Sequence, residues 1–483
     1  MKILLVAAEV APLAKTGGLA DVAGSLPKAL RALGHDIRIM LPAYSFIDAE
    51  NWGFHSTGKK AEVIMGEETQ YGEILEGKLG EVTVYLLKCD IYFARSGIYG
   101  SPEDGDYPDN ASRFVFLCAA ALESLKALSF RPEIIHCNDW HTAFIPGLLR
   151  TRYTNDSFYK TMRTLYTIHN LGYQGVFSLE DLEGLGLEPW LLTDKGYLHE
   201  GMVNFMKGGI GLADSLNTVS PNYAREIQTA EAGFGLNELI HQRQDQLFGI
   251  LNGIDYEIWN PKTDIYISKS FSINTVKHKR DNKLALQREL MFKEDPGIPI
   301  IGLISRLAEQ KGINLLVQAL SVLLQNNKMQ FVGLGTGEKR YEEMMQELAS
   351  AYPQQVRIEL NYNESLAHRI YAGADVLVIP SSYEPCGLSQ MIGLRYGTIP
   401  VARATGGLVD TVIDYSAPSG KGNGFVFNDY SGKELQGSIE RALQIFSDSN
   451  EWLELITRAM SIDYSWKNSA LEYLALYYKI TVG

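Results

Sequence analysis

The sequence predicts an α/β chain made of two parallel-sheet domains, and three observations carry that prediction. Short aliphatic runs such as "KILLVAA", "DIRIMLP" and "EIIHC" recur without polar alternation. Each is followed by a longer stretch at helical spacing, the mark of parallel strands covered on both faces. At 483 residues the chain is also too long for one ordinary core.

Taken in order, "KILLVAA" and "DIRIMLP" open the first half, with "LADVAGSLPKALRAL" between them. That stretch puts Leu19, Val22, Ala23, Leu26 and Leu30 on one helical face, and Pro27 is expected to break or restart the helix. "GEILEGKLGEVTVYLLK" alternates differently and reads as an antiparallel hairpin turned by Gly77 to Gly80. A helix over residues 111–128 precedes the strands "EIIHC", "RTLYTIH" and "SLNTVS". The pattern breaks between residues 245 and 295, which places the domain boundary near 245. Strands resume with "IPIIGLIS", "MQFVGLG", "QVRIEL", "DVLVIP" and "TIPVAR", and a helix is expected over Lys339–Ala351. Tandem domains of this kind make the cleft between them the default ligand site.

Composition excludes several functions. The net charge is −13, from 44 basic and 57 acidic residues, with no long basic run, so nucleic acid and anionic membranes are poor partners. Cys89, Cys118, Cys137 and Cys386 are scattered without a C-x-x-C pair and read as reduced thiols of a cytosol-like compartment. A strand pattern from residue 2 leaves no room for a signal peptide, and no apolar run reaches the ~20 residues of a membrane span. The expected location is the cytoplasm, or a plastid stroma after removal of a transit peptide.

Polar chemistry collects at the ends of the strand-like runs. "KTGGLADVAG" follows the first strand, and "ATGGLVDTVI" follows "TIPVAR". Glycines at such a corner permit close approach, a helix amino end favours an anion, and Lys15 adds a positive charge. No G-x-G-x-x-G is present, which weighs against a dinucleotide enzyme. "HCNDWH", residues 136–141, ends a strand with Asp139 and two histidines, at a spacing unlike the H-E-x-x-H of zinc helices. Asp104-Gly105-Asp106 resembles a D-x-D metal site but sits in a Gly/Pro/Asp loop, where such triplets arise for turn reasons. "SRLAEQKG" offers Arg306 and Lys311, and "SSYEPCGLSQ" offers Glu384, either a sugar ligand or a helix-capping acid. Three cations, glycine-bearing loops and carboxylates at strand ends suit a diphosphate joined to a polyol, that is, a nucleotide sugar.

These strings, with "GDYPDNASRF", "YTIHNLGYQG", "TVSPNYAREI", "GILNGID" and the closing "YSWKNSALEYLALY", resemble the bacterial and plastidial glycogen/starch synthases in order along essentially the whole chain. The resemblance implies a GT-B fold: two Rossmann-like domains, 1–245 on the acceptor side and 246–460 for the donor, with residues 461–483 crossing back as a helix. It also implies metal-independent, retaining transfer of glucose from ADP-glucose to the non-reducing end of an α-1,4-glucan, with no cofactor. By the same resemblance Lys15 and Gly18 lie near the donor phosphates, Arg306 and Lys311 hold the diphosphate, and Glu384 binds the glucose ring. Cys386, Gly387 and Leu388 continue that wall. Asp139 and Asn170 line the sugar cleft, His169 borders the anomeric centre, Tyr362 stacks on the base and Tyr99 covers the site. Asp21, Asn252, Thr405, Gly406 and Gly407 complete the implied substrate set. Many members of the wider superfamily carry a second glutamate eight positions after the first, where this chain has Ile392, so ribose recognition is left open. So is the choice between front-face attack and a two-carboxylate double displacement. An α-glucan phosphorylase, a nucleotide-sugar epimerase and a catalytically silent glucan-binding protein are the alternatives on the same fold.

Overall fold

The computed structural model describes residues 1–101, 105–416 and 421–482. It divides into two units, Met1–Gly253 with Trp466–Gly483, and Ile254–Ser465. The first is built on β1 (Lys2–Val6), β2 (Asp36–Pro42), β3 (His55–Met65), β4 (Glu68–Leu79), β5 (Val82–Lys88), β6 (Ile134–Asn138), β7 (Arg163–Ile168), β8 (Ser215–Thr218) and β9 (Leu247–Gly249). Their order in the sheet is β9-β8-β7-β6-β1-β2-β5-β4-β3. Pairing is parallel from β9 through β5, and β4 and β3 extend the edge as an antiparallel hairpin.

The second unit carries β10 (Ile300–Ile304), β11 (Gln330–Leu334), β12 (Val356–Glu359), β13 (Val376–Ile379), β14 (Ile399–Arg403) and β15 (Phe425–Phe427), in the order β12-β11-β10-β13-β14-β15 and parallel throughout. Both sheets are doubly wound. Strand order reverses between β1 and β6 in the first and between β10 and β13 in the second, and polar loops at those carboxyl ends diverge to leave a crevice.

The helices of concern are α1 (Gly18–Ala32), α2 (Asn110–Ala127), α3 (Lys279–Glu289), α4 (Lys339–Ala351) and α5 (Trp466–Val482). Helix α1 runs unbroken through Pro27, contrary to the sequence expectation. Leu19, Val22, Ala23, Leu26 and Leu30 are all buried, and that continuous apolar face outweighs the ~3 kcal/mol a mid-helix proline costs. The hairpin turns at Gly80 and Glu81, not from Gly77, which lies inside β4. A Cβ at Gly77 would come within 2.7 Å of the Phe54 ring, so this glycine serves packing, not turning. Strand β3 carries no aliphatic signature because it opens on the polar stretch "HSTGKK". The charged run after residue 278 folds as α3, burying Lys283 against Asp375 at 2.7 Å, while Asp375 also accepts the Ile300 N–H that opens β10.

Helix α5 belongs to the first unit, and a buried relay ties it there. The Tyr477 hydroxyl donates to His136 Nδ1 (2.9 Å), His136 Nε2 donates to Thr167 Oγ1 (2.6 Å), Thr167 donates to Asn217 Oδ1 (2.5 Å), and Asn217 Nδ2 donates to the Tyr473 hydroxyl (3.0 Å). Burial holds the His136 imidazole down at about 3, so it is neutral and each ring nitrogen has one defined role. His136 is thus a strut for α5, not part of the crevice its neighbour Asp139 lines. Tyr477→Phe leaves the buried Nδ1 unsatisfied, and we expect a stability loss of about 1–3 kcal/mol by urea denaturation. A loss below about 0.5 kcal/mol would remove the relay from the account of how α5 is held.

Candidate functional site

In the first unit, the loop from β1 to α1 is organised by Glu9, which is 4% exposed. Its Oε2 accepts the Thr16 N–H (2.5 Å) and the Gly17 N–H (2.9 Å), and its Oε1 accepts the Tyr99 hydroxyl (2.5 Å). Lys15, on the same loop, pairs with Asp21 on the first turn of α1 at 2.7 Å. A Cβ at Gly17 or Gly18 would meet nothing within 4 Å, and Gly17 has φ −144°. The fold itself does not require glycine there. Two bare glycines beside a lysine leave the backbone open to a ligand.

At the end of β6, Asp139 adopts φ 54° and ψ −175°, a region that strongly favours glycine and costs about 1–3 kcal/mol. Its N–H donates to the Thr167 carbonyl (3.0 Å) and its Oδ1 accepts the His169 N–H (2.7 Å), which binds β6 to the end of β7. Burial pushes the Asp139 carboxyl up to about 8, against the opposing hydrogen bonds from the His169 and Asn170 backbone. Asn138 Nδ2 donates to the Val6 carbonyl (3.0 Å), which fixes its Oδ1 to accept from His169 Nε2 (2.9 Å). Burial holds the His169 ring down at about 3, so it is a neutral imidazole with its proton on Nε2. Asn170 is half-buried and its Oδ1 accepts the Gly172 N–H (3.0 Å). The Tyr99 ring stacks on His141, with centroids 4.7 Å apart and planes 19° apart. His141 is buried and neither ring nitrogen has a partner among the described residues. Asn252 is buried near the end of this unit, with its Oδ1 unpaired among the described residues.

In the second unit, the loop after β10 carries Arg306, exposed and without a side-chain partner among the described residues, and Lys311. Lys311 Nζ donates to Glu384 Oε2 at 2.6 Å, and Ser381 Oγ donates to the same oxygen at 2.9 Å. Glu384 therefore does not cap the following helix. It is 8% exposed and ion-paired across the switch point. The "TGGL" string after β14 clamps that loop from behind. Gly407 N–H donates to the Glu384 carbonyl (3.0 Å), and Gly406 has φ +49°, where a Cβ would lie only 1.9 Å from the same carbonyl oxygen. A Cβ on Gly407 would lie 2.3 Å from the Cys386 carbonyl oxygen. Thr405 and Cys386 are buried here, Gly387 and Leu388 are half-buried, and Tyr362 stands 77% exposed beyond β12. The two "TGGL" strings therefore do opposite things: the first leaves open space, and the second packs backbone on backbone.

Within each unit the structure joins much of the expected set: Lys15 to Asp21, Asp139 to His169, and Lys311 to Glu384 to Gly407. Glu9 and His141 stand outside that set. Glu9 lies inside the string "AAEVAP", but an acid in an otherwise apolar turn gives no sign of its three donors. Among the described residues no three His, Cys, Asp or Glu side chains gather as a metal cluster, and Asp104 lies outside the described residues. No helix among them is long and apolar enough to cross a membrane.

Two doubly wound units with polar loops at both switch points are the elements of a GT-B architecture. Residues 2–242 match the family described as starch synthase catalytic domain, and residues 287–454 match glycosyl transferases group 1. The chain is 45% identical to a glycogen synthase of Geotalea daltonii over 477 residues, covering 99% of this chain and 98% of that one. It is 45% identical to a glycogen synthase of Geobacillus stearothermophilus over 482 residues, covering 99% and 97%. The solved catalytic domain of starch synthase IV from Arabidopsis thaliana, bound to ADP and acarbose, superposes with a TM-score of 0.93 at 34% identity, covering 100% of this chain and 99% of that one. The chain belongs to the glycogen/starch synthase family of glycosyltransferases.

The raised Asp139 carboxyl gives a pH test. Because its folded-state pKa lies above the unfolded value of ~4, ionisation opposes folding. The penalty is absent below about pH 4 and complete above about pH 8. Asp139→Asn keeps an acceptor for the His169 N–H but cannot ionise. Its stability relative to the parent is expected to rise steadily between those limits, by up to a few kcal/mol. A pH-independent difference in urea midpoints would contradict the burial argument.

Proposed function

We propose that the chain transfers glucose from ADP-glucose to the non-reducing end of an α-1,4-glucan, with retention at the anomeric carbon and without a metal or cofactor. The observation that carries this is the Lys311–Glu384 pair, preformed across the second switch point in a chain that belongs to this family from end to end. ADP and acarbose, bound to the Arabidopsis relative, support a donor of this kind and a glucan acceptor.

In this reading Arg306 and Lys311 neutralise the charge that grows on the departing diphosphate, and Lys15 contributes from the first unit. Glu384 keeps Oε1 for glucose hydroxyls while Lys311 and Ser381 hold Oε2. The His169 carbonyl faces the developing oxocarbenium centre. Retention proceeds by front-face attack, with the leaving phosphate accepting the acceptor's proton. Asp139 supports this over a double displacement, since a carboxyl pushed up to about 8 and bound to the His169 N–H is a poor nucleophile. The second unit reads as the donor-binding domain and the first as the acceptor side.

The assay is kcat and kcat/KM with ADP-glucose and with UDP-glucose on glycogen. ADP-glucose is expected to be preferred, and equal kcat/KM for the two would refute the donor assignment. Activity is expected to survive EDTA. Arg306→Ala and Lys311→Ala are each expected to cost on the order of 10- to 100-fold in kcat, from charge-assisted bonds of about 1.5–3 kcal/mol. Glu384→Ala is expected to lose turnover while remaining folded by circular dichroism. Loss of turnover with EDTA, restored by Mg²⁺ or Mn²⁺, would overturn the fixed-cation mechanism.

A further inference from the structure

We propose that Glu9 is a positioning residue for this transfer, whose carboxyl group spans two loops and sets the Lys15 backbone in register with the Tyr99 ring. The assignment of Lys15 and Tyr99 to the reaction rests on the function proposed for the chain, but the clasp itself rests on geometry alone.

Glu9 follows β1 at the first switch point, and its side chain is enclosed. Each carboxyl oxygen serves a different loop. Oε2 takes the consecutive N–H groups of Thr16 and Gly17, which precede the start of α1, and Oε1 takes the Tyr99 hydroxyl from a segment ninety residues on. Nothing else fixes the Thr16 and Gly17 amides among the described residues. Tyr99 is held at its carbonyl and along its ring. Its carbonyl accepts Asn110 Nδ2 (2.8 Å) and the Tyr107 N–H (2.9 Å), and its ring lies on His141. The tyrosine is therefore the fixed post, and the glycine loop is the part that Glu9 ties to it. Ala14 and Leu19 anchor the loop on either side by burial, but a Cβ at Gly17 or Gly18 would touch nothing, so between those anchors the Thr16 and Gly17 amides depend on the clasp.

Span, not charge, is the property that this role requires, and two substitutions separate them. Glu9→Gln keeps the length and loses the charge: its amide oxygen accepts both N–H groups while its NH₂ donates to the tyrosine oxygen. Glu9→Asp keeps the charge but is shorter by one methylene and reaches only one loop. We expect kcat/KM for ADP-glucose to fall on the order of 10- to 100-fold in Glu9→Asp and Glu9→Ala, and by less than about tenfold in Glu9→Gln. In a Lys15→Ala background the further loss on adding Glu9→Ala is expected to shrink to a few-fold, because the two act through one loop. The readout independent of activity is amide hydrogen exchange at Thr16 and Gly17. It is expected to be slow in the parent and in Glu9→Gln, and faster in Glu9→Asp and Glu9→Ala. If the parent transfers no glucose, the functional reading fails while the exchange ranking still decides the clasp. A Glu9→Asp variant more active than Glu9→Gln, or exchange unchanged in Glu9→Ala, would overturn the proposal.

Discussion

Parallel strands covered on both faces leave a chain little room for polar chemistry except at strand ends, and that constraint organises the whole molecule. The sheet interiors are mainly apolar, as β1 illustrates with Ile3 to Val6 fully buried, and the polar side chains His136, Thr167 and Asn217 within strands are satisfied by one another and by α5. Charges and hydrogen-bonding side chains collect where successive loops turn to opposite faces of a sheet. In the first unit that point lies between β1 and β6, beside Glu9 and Asp139. In the second it lies between β10 and β13, beside Lys311 and Glu384. The packed strands around the first switch point let Asp139 hold a conformation that favours glycine.

The two switch points use different physics. The second is ionic, with a lysine and a glutamate in direct contact and an exposed arginine on the same loop. The first has no ion pair around Asp139 among the described residues, and its buried Glu9 carboxyl is held by three hydrogen-bond donors. His141 and His169 are held neutral by burial, and Asp139 is pushed toward its protonated form. Its order comes from directed hydrogen bonds, in which His169 keeps one fixed tautomer. In the reading proposed above, the ionic loop suits a diphosphate and the hydrogen-bonded loop an uncharged sugar.

Much of this was legible in the sequence because strand-end motifs carry local signals. A lysine before two glycines, or a glutamate after a buried strand, can be read without knowing what lies opposite. What could not be read was any role defined by a distant partner. His136 and Asp139 sit three residues apart in one string, yet one braces a helix 341 residues later and the other borders the crevice. Glu9 looks like an incidental acid until Tyr99 is placed beside it. Pro27 signals a break that the apolar face of α1 overrides, and the second "TGGL" imitates the first while packing against Glu384 instead of standing open. Local chemistry was visible, and long-range pairing was not.

Helix α5 has a further bearing on how the molecule is made. The chain leaves the first unit after Gly253 and returns to it only at Trp466, so the second unit is topologically an insertion. The two points where it joins lie side by side, with Ile254 bridged to Ser465 and its N–H bonded to the Tyr464 carbonyl at 2.8 Å. On a ribosome the usual order, in which the amino-terminal domain matures first, is therefore reversed. The inserted unit has all its strands before the first unit receives the hydroxyls of Tyr473 and Tyr477. Until Trp466–Val482 emerges, the relay through His136, Thr167 and Asn217 lacks both of its tyrosine ends.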